Sequence, residues 1–251
     1  MKNKQALEAS FLNNLLTPNF FDDILFYIPT VGMFYKGKGK MKKRKDTRDR
    51  IILQALTYFT VNDYDRISLN DIARAQGITK GGIYHYFGSK DELFKETLLF
   101  TVENIEKEFD ELMTAYSEED MAVSLEQILR QFYSLVEFGD KSAELMGIDV
   151  YEEYENLVYL LFVGLKKFPE LRTRIEEVYT GQMNRLAELL ECARRRGEIQ
   201  EELDTRTLAF EIIAQVEGTL LVGGLVRSLP LGELSSRTFE DMWNRIRRGE
   251  P

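Results

Sequence analysis

Three observations predict an all-α fold. The 251 residues contain only five prolines, so long helices can run unbroken and few extended loops are built in. Apolar residues recur at steps of three and four over much of the chain, the period of a buried helical stripe. And the stretch Ser68 to Phe87, SLNDIARAQGITKGGIYHYF, reads as two short helices joined by a tight turn. The expected architecture is an N-terminal three-helix unit carrying that pair, followed by a larger helical domain.

Composition narrows the class. The chain is long enough for one small domain plus a larger one with its own core, and its 44% hydrophobic content is ordinary. One cysteine rules out an internal disulfide framework and fits a reducing cytoplasm, and one histidine leaves no His-rich metal cluster. The net charge of −9 divides unevenly. Up to residue 95 there are about 16 Lys and Arg against about 10 Asp and Glu, and beyond it about 17 against about 32, a basic module on an acidic body. Most of the acidic excess is accounted for by a solvated helical surface.

Residues 1–40 are the odd part. Phe20 to Phe34 is apolar, but Asp22, Asp23 and Pro29 interrupt it; it is too short to span a bilayer and lacks the layout of a signal peptide. Lys36-Gly37-Lys38-Gly39-Lys40 would be encoded by purine-rich codons of the kind found in a ribosome-binding site. Translation from Met41 is therefore the expectation, with intact-mass measurement as its check. The alternative is a genuine arm whose Lys36–Lys45 run lies along DNA phosphates or in a minor groove.

From Asp46 to about Thr60 the stripe Ile52, Ala55, Leu56, Phe59 predicts the first helix. Ser68 then caps the second, with Asp71 at capping-box spacing, and Gly77 stops it in a left-handed conformation. Thr79 caps the third, whose Ile83 and Phe87 share one face. Lys80, Gly81, Tyr84 and His85 are left pointing away from the core, as in a helix-turn-helix that reads a DNA major groove. Ser89 opens a long fourth helix with Glu92 three residues on, a full capping box, and the stripe Phe94, Leu98, Ile105, Phe109, Leu112 continues it.

Between about Met121 and Phe168 the chain is rich in aromatics. Most serve as ordinary core. Phe132, Phe138, Tyr151, Tyr154, Tyr159 and Phe162 are the candidates for lining an apolar ligand pocket, and Glu144, Glu152, Glu153 and Glu155 among them would suit a lipophilic cation. Pro169 starts the next helix, which ends in Arg194-Arg195-Arg196-Gly197, three cations on the negative end of the dipole and then a glycine. Asp204 caps the following helix. Its Ile212–Val226 run carries one charge, Glu217, so burial both on its own body and on a second subunit is expected. Glu217 and the glycines at 218, 223 and 224 argue against a membrane span. Val178, Leu186, Leu189, Ile213, Leu220 and Leu221 are the candidate subunit contacts. Phe239, Met242, Trp243 and Ile246 suggest a short last helix.

With these residues in place, Asp46 to about Thr97 resembles the DNA-binding domain of the TetR family of bacterial transcriptional regulators. Ile52, Ala55, Phe59, Tyr64, the Ser68–Ala73 helix, Gly77-Ile78, Tyr84-His85-Tyr86-Phe87 and Lys90-Asp91-Glu92-Leu93 carry the match. The link Val61-Asn62-Asp63-Tyr64 departs from it, since a glycine usually precedes the tyrosine, and Asp63 takes the left-handed conformation at modest cost.

The resemblance implies a dimeric, all-helical repressor with a reading head at 41–97 and a ligand-binding, dimerising body at 98–251. The last two long helices would pair with their mates in a four-helix interface. The implied DNA-binding set is Ser68, Thr79, Lys80, Gly81, Gly82, Tyr84, His85 and Lys90. Thr79, Tyr84 and Lys90 with its helix end would bond phosphate. Lys80 and His85 would reach base edges or phosphate, and Gly81 would let the backbone approach. Gly82 is a departure that removes one possible base contact and shifts readout toward DNA shape.

The expected partners are an operator duplex, a second copy of the chain and an unidentified small-molecule inducer, in the cytoplasm, with no membrane, metal or cofactor. His85 and Cys192 lie in separate domains with no third group to orient a base, so catalysis is not expected, and a buried thiol such as Cys192 is usually inert. The alternatives are an architectural protein or activator without inducer, and a lipid-binding or enzymatic body with an inactive head.

Overall fold

The computed structural model describes residues 47–62, 64–114, 124–133, 150–226 and 228–249, with the side chains at 61, 108, 111 and 150–154 excepted. The extension 1–40, Met41, Asp63 and Phe138 lie outside these residues, as do the side chains of Tyr151 and Tyr154.

The described chain is helical throughout. In order it forms α1 (Thr47–Val61), a 3-10 turn (Tyr64–Arg66), α2 (Leu69–Gln76), α3 (Lys80–Tyr86) and α4 (Lys90–Thr114). Then come α5 (helical over residues 125–133), α6 (Val150–Lys167), α7 (Pro169–Arg195), α8 (Thr205–Leu225) and α9 (Leu231–Ile246). No β-sheet forms among them; a single antiparallel bridge, Ile199 to Arg247, ties the chain end back to the α7–α8 link.

Local chemistry sets the ends. At α7, Pro169 occupies the first turn, where a missing N–H costs nothing. Gly197 leaves it at φ +72°, and the Glu198 N–H donates to the Ala193 carbonyl at 3.0 Å. At α8, Asp204 accepts from the Thr207 N–H at 2.7 Å. The last helix is longer than the short one expected. Leu231, Ser235, Phe239, Met242 and Ile246 repeat at three- and four-residue steps on one buried face, and Trp243 lies beside them. That stripe binds the full helix to the body, with Phe239 edge-on to Tyr133 at 5.5 Å.

The core forms two clusters. One joins the head (Ile52, Phe59, Ile72, Ile83, Phe87, Phe94) to Leu98 and Val102 of α4, Leu160 of α6, and Leu171 and Val178 of α7. The other fills the far body, from Phe109 and Phe132 to Leu186, Ile213, Phe239 and Trp243. A buried cluster and one unbroken helix thus cross the 97/98 position. At Gly164 a Cβ would come within 2.3 Å of Leu98 and 2.7 Å of Leu171, so α4, α6 and α7 meet closely there.

Helix α8 is long and apolar enough to cross a membrane, with a mean hydropathy of 1.5. Its residues divide between two faces. Leu208, Ile212, Val216 and Leu220 are core, whereas Phe210, Ala214, Leu221 and Leu225 are exposed.

Of the expected subunit contacts, Val178, Leu186, Leu189, Ile213 and Leu220 are buried inside the protomer, in its two clusters. Only Leu221 faces outward. Hydropathy marks a residue as needing burial and not which partner supplies it. Phe132 is also core, edge-on to Phe109 at 5.9 Å. Tyr159 and Phe162 are 59% and 62% exposed, on the outside of α6.

Candidate nucleic-acid interface

The pair α2–α3 is assembled by neighbours. Ser68 Oγ accepts from the Asp71 N–H at 3.3 Å, and Asp71 Oδ2 accepts from the Ser68 N–H at 3.0 Å and its hydroxyl at 2.6 Å, the reciprocal box predicted. Those bonds from Ser68 hold the Asp71 carboxyl below its usual range. Gly77 sits at φ +67°, and the Ile78 N–H closes the turn on the Ala73 carbonyl at 3.0 Å. Thr79 Oγ1 accepts from the Gly82 N–H at 3.0 Å and so caps α3.

With Ile83 and Phe87 fully buried, Lys80, Gly81, Tyr84 and His85 are exposed on the opposite side. The Lys80 ammonium lies 5.8 Å from the Tyr84 ring centre, and His85 stands edge-on to Tyr86 at 5.3 Å. A Cβ at Gly81 would meet open space. Gly82 is half-buried, and a Cβ there would lie 3.3 Å from the Thr79 hydroxyl, so Gly82 belongs to the cap and not to the open face.

Lys90 departs from expectation. Its ammonium donates to the Tyr64 carbonyl at 2.9 Å and lies 4.2 Å from that ring's centre, turned into the protein and not toward a ligand in front of α4. The Ser89 hydroxyl does cap α4 through the Glu92 N–H at 3.0 Å, but Glu92 answers to the Gly88 N–H at 2.8 Å, one residue earlier than in a standard box. Arg48 is held by Glu96 at 2.8 Å, and Arg50 lies 3.5 Å from Gln76.

Sequence reasoning missed the junction behind the head. Lys167, at the end of α6, reaches Asp91 Oδ1 at 2.5 Å and the Tyr64 hydroxyl at 3.1 Å, and Tyr64 itself donates to Asp91. The ammonium groups of Lys90 and Lys167 lie 4.2 and 4.5 Å from the Tyr64 ring centre, and that ring packs against Phe94 at 4.6 Å. The hydrogen bond from Lys167, with that from Tyr64, holds the Asp91 carboxyl below its usual range, while burial pushes the Tyr64 phenol up. The partners are 76 residues apart, so no local pattern announces them.

Among the described residues no group of three or more His, Cys, Asp and Glu could hold a metal ion. At the far end of α7 and α8, two open grooves of about 430 and 470 Å³ run past Glu191 and Thr205. Arg194 and Glu202 line the first and Arg195 and Glu188 the second, so both are charged.

A capped helix-turn-helix on a helical body is the arrangement of a DNA-binding regulator. Residues 51–97 match the family described as bacterial regulatory proteins, TetR family, and residues 166–233 match the tetracyclin repressor-like C-terminal domain. The chain belongs to the TetR family and is a transcriptional regulator, not an enzyme.

It is 28% identical over 185 residues to the fatty acid metabolism regulator protein of Bacillus subtilis (strain 168), covering 72% of this chain and 84% of the relative. It is 25% identical over 210 residues to the nucleoid occlusion factor SlmA of Haemophilus ducreyi, covering 82% and 94%. The crystal structure of the regulator FadR from Bacillus subtilis in complex with stearoyl-CoA superposes with a TM-score of 0.55 at 22% identity, over 79% of this chain and 98% of that one.

Proposed function

We propose that this regulator is a cytoplasmic, homodimeric repressor that holds a near-palindromic operator with one head per half-site and releases it when a mostly apolar small molecule enters its body. The outward face of α3 carries the reading. The fold's own needs on that helix are met by Thr79, Ile83 and Phe87, which leaves Lys80, Gly81, Tyr84 and His85 free to meet a duplex. Among the described residues nothing crowds Gly81, although a glycine inside a helix costs about 1 kcal/mol relative to alanine. A close approach of DNA gives that glycine a purpose.

In this reading Tyr84 bonds phosphate and Lys80 and His85 reach base edges or phosphate, with 41–97 as head and 98–251 as body. The subunit face is the outer stripe of α8, Phe210, Leu221 and Leu225, flanked by Val222 and by Tyr179 of α7. The Bacillus subtilis relatives nominate a long-chain acyl-CoA as the inducer. Such a ligand must favour a head spacing that does not fit the operator, or it cannot lower affinity. The junction of Lys167, Asp91 and Tyr64 lies where α6 would pass that change to α4.

The likeness to the nucleoid occlusion factor supports a second reading, a DNA-binding protein with no inducer. Selection of genomic fragments on the purified protein, then footprinting across a salt series and with stearoyl-CoA, tests both. A symmetric protected site that weakens steeply with salt and is released by stearoyl-CoA is the expected result. The same site unmoved by ligand would favour the second reading, and weak unsymmetrical binding everywhere would overturn the head's role.

A further inference from the structure

The chain has a single histidine, and the fold puts it on the outward face of α3. His85 lies in the last turn of that helix, one turn after Gly81 and on the side opposite the buried Ile83. It is exposed and stands edge-on to the Tyr86 ring at 5.3 Å. No hydrogen bond or ion pair holds it among the described residues. Imidazole is the side chain whose ordinary titration falls between pH 5 and 8. The face assigned to DNA thus carries one group of a kind that changes charge near neutrality.

The charged groups on the elements around α3 are engaged with one another. On α1, Arg48 pairs with Glu96, and Arg50 reaches Gln76. On α2, the Asp71 carboxyl is held by Ser68, with Arg74 at 4.0 Å. At the start of α4, Glu92 takes the Gly88 N–H, Lys90 donates to the Tyr64 carbonyl, and Asp91 pairs with Lys167. On α3 itself, the Lys80 ammonium lies over the Tyr84 ring. Among the described residues, then, no carboxylate pairs with the imidazole. A duplex would bring dense negative charge and acceptors to this face, in its phosphate oxygens and in guanine O6 and N7. A neutral imidazole donates from one ring nitrogen and an imidazolium from both, and nearby negative charge favours the cation.

We propose that DNA binding takes up a proton at His85, so that the head holds its duplex more tightly as pH falls. This rests on the reading of α3 as the DNA-contacting face and adds how that contact is regulated. The proton comes from solvent and adds to the bare ring nitrogen, and the imidazolium then donates to a phosphate or guanine acceptor. The sign follows from linkage. The bound state has the greater proton affinity, so the added hold is fully present below the range of the free imidazole. It is lost as pH rises through the higher range of the bound one.

The test is an anisotropy titration of the selected site, at fixed salt and between about pH 8 and pH 6, with the full chain, His85→Gln and His85→Lys. Beside it, the imidazole of the full chain is titrated by NMR with and without duplex. One histidine gives one imidazole signal, so no assignment is needed. Parent affinity is expected to rise about fivefold as pH falls, the gain that follows when DNA raises the proton affinity about tenfold. Both variants, whose side chains keep one charge across this range, are expected to bind with no such rise. The imidazole midpoint is expected to move up in pH when duplex is added. An equal rise in the parent and either variant, or a midpoint that duplex does not move, would overturn the proposal. Should no specific site be selected, the operator reading fails, and a random-sequence duplex at low salt decides the proton linkage by itself. A midpoint that moves up then supports it, and one that stays overturns it.

Discussion

The head and the body are built from the same material, amphipathic helices with apolar stripes, but they differ in how far apart their deciding partners lie. In the head, Ser68 finds Asp71 and Thr79 finds Gly82 three residues on. The body is held by Arg174 on Glu106, 68 residues away, and Arg130 on Glu240, 110 residues away. The difference teaches that a cap or a turn is specified by its neighbours, whereas the partner of an apolar face is specified only by assembly.

Substitutions can break or sharpen this comparison. The largest effect is expected at Phe94, fully buried and ringed by Phe59 at 4.9 Å and Tyr64 at 4.6 Å. Phe94→Ala should cost about 3–5 kcal/mol in urea unfolding. In the body, two leucines of equal hydropathy should part company. Leu186→Ala, in the core, should cost about 2–5 kcal/mol. Leu221→Asp, on the exposed stripe, should leave protomer unfolding nearly unchanged and yield monomers in sedimentation.

Two glycines of the head should move in opposite directions. Gly77→Ala forces a left-handed residue and should cost about 1–2 kcal/mol. Gly81→Ala should gain up to about 1 kcal/mol in stability while weakening operator binding in an anisotropy titration.

The smallest effect is expected at the junction. Asp91 and Lys167 are half and one-third exposed, so the pair contributes about 0–1 kcal/mol. Because the folded state depresses the Asp91 carboxyl, this contribution is present above the ordinary value of about 3.9 and is lost as pH falls through the lower folded value. Unfolding midpoints of the parent and Asp91→Asn should therefore differ at neutral pH and converge below about pH 4.

Much of the head is legible in the sequence for a physical reason. Ser68, Gly77, Thr79 and Ser89 act on backbone groups within a few residues of themselves, and Ile83 and Phe87 fix which way Tyr84 and His85 point. The contact of Lys90 with the carbonyl of Tyr64 is hidden from the sequence because its partner is 26 residues back. The body's helices are equally legible, from Pro169 and Asp204 to the stop at Gly197. Its faces are not. Val178 and Leu186 have the hydropathy of subunit contacts and the location of core, while Tyr159 and Phe162 have the composition of a pocket and the location of a surface.

Amide hydrogen exchange of the full chain, with and without a duplex bearing its selected site, tests most directly that α3 is the reading surface. The account predicts new protection concentrated at Thr79 to Tyr86, with the α8 stripe around Leu221 protected in both states by the second subunit. Unchanged exchange at Thr79 to Tyr86 beside new protection elsewhere would contradict it.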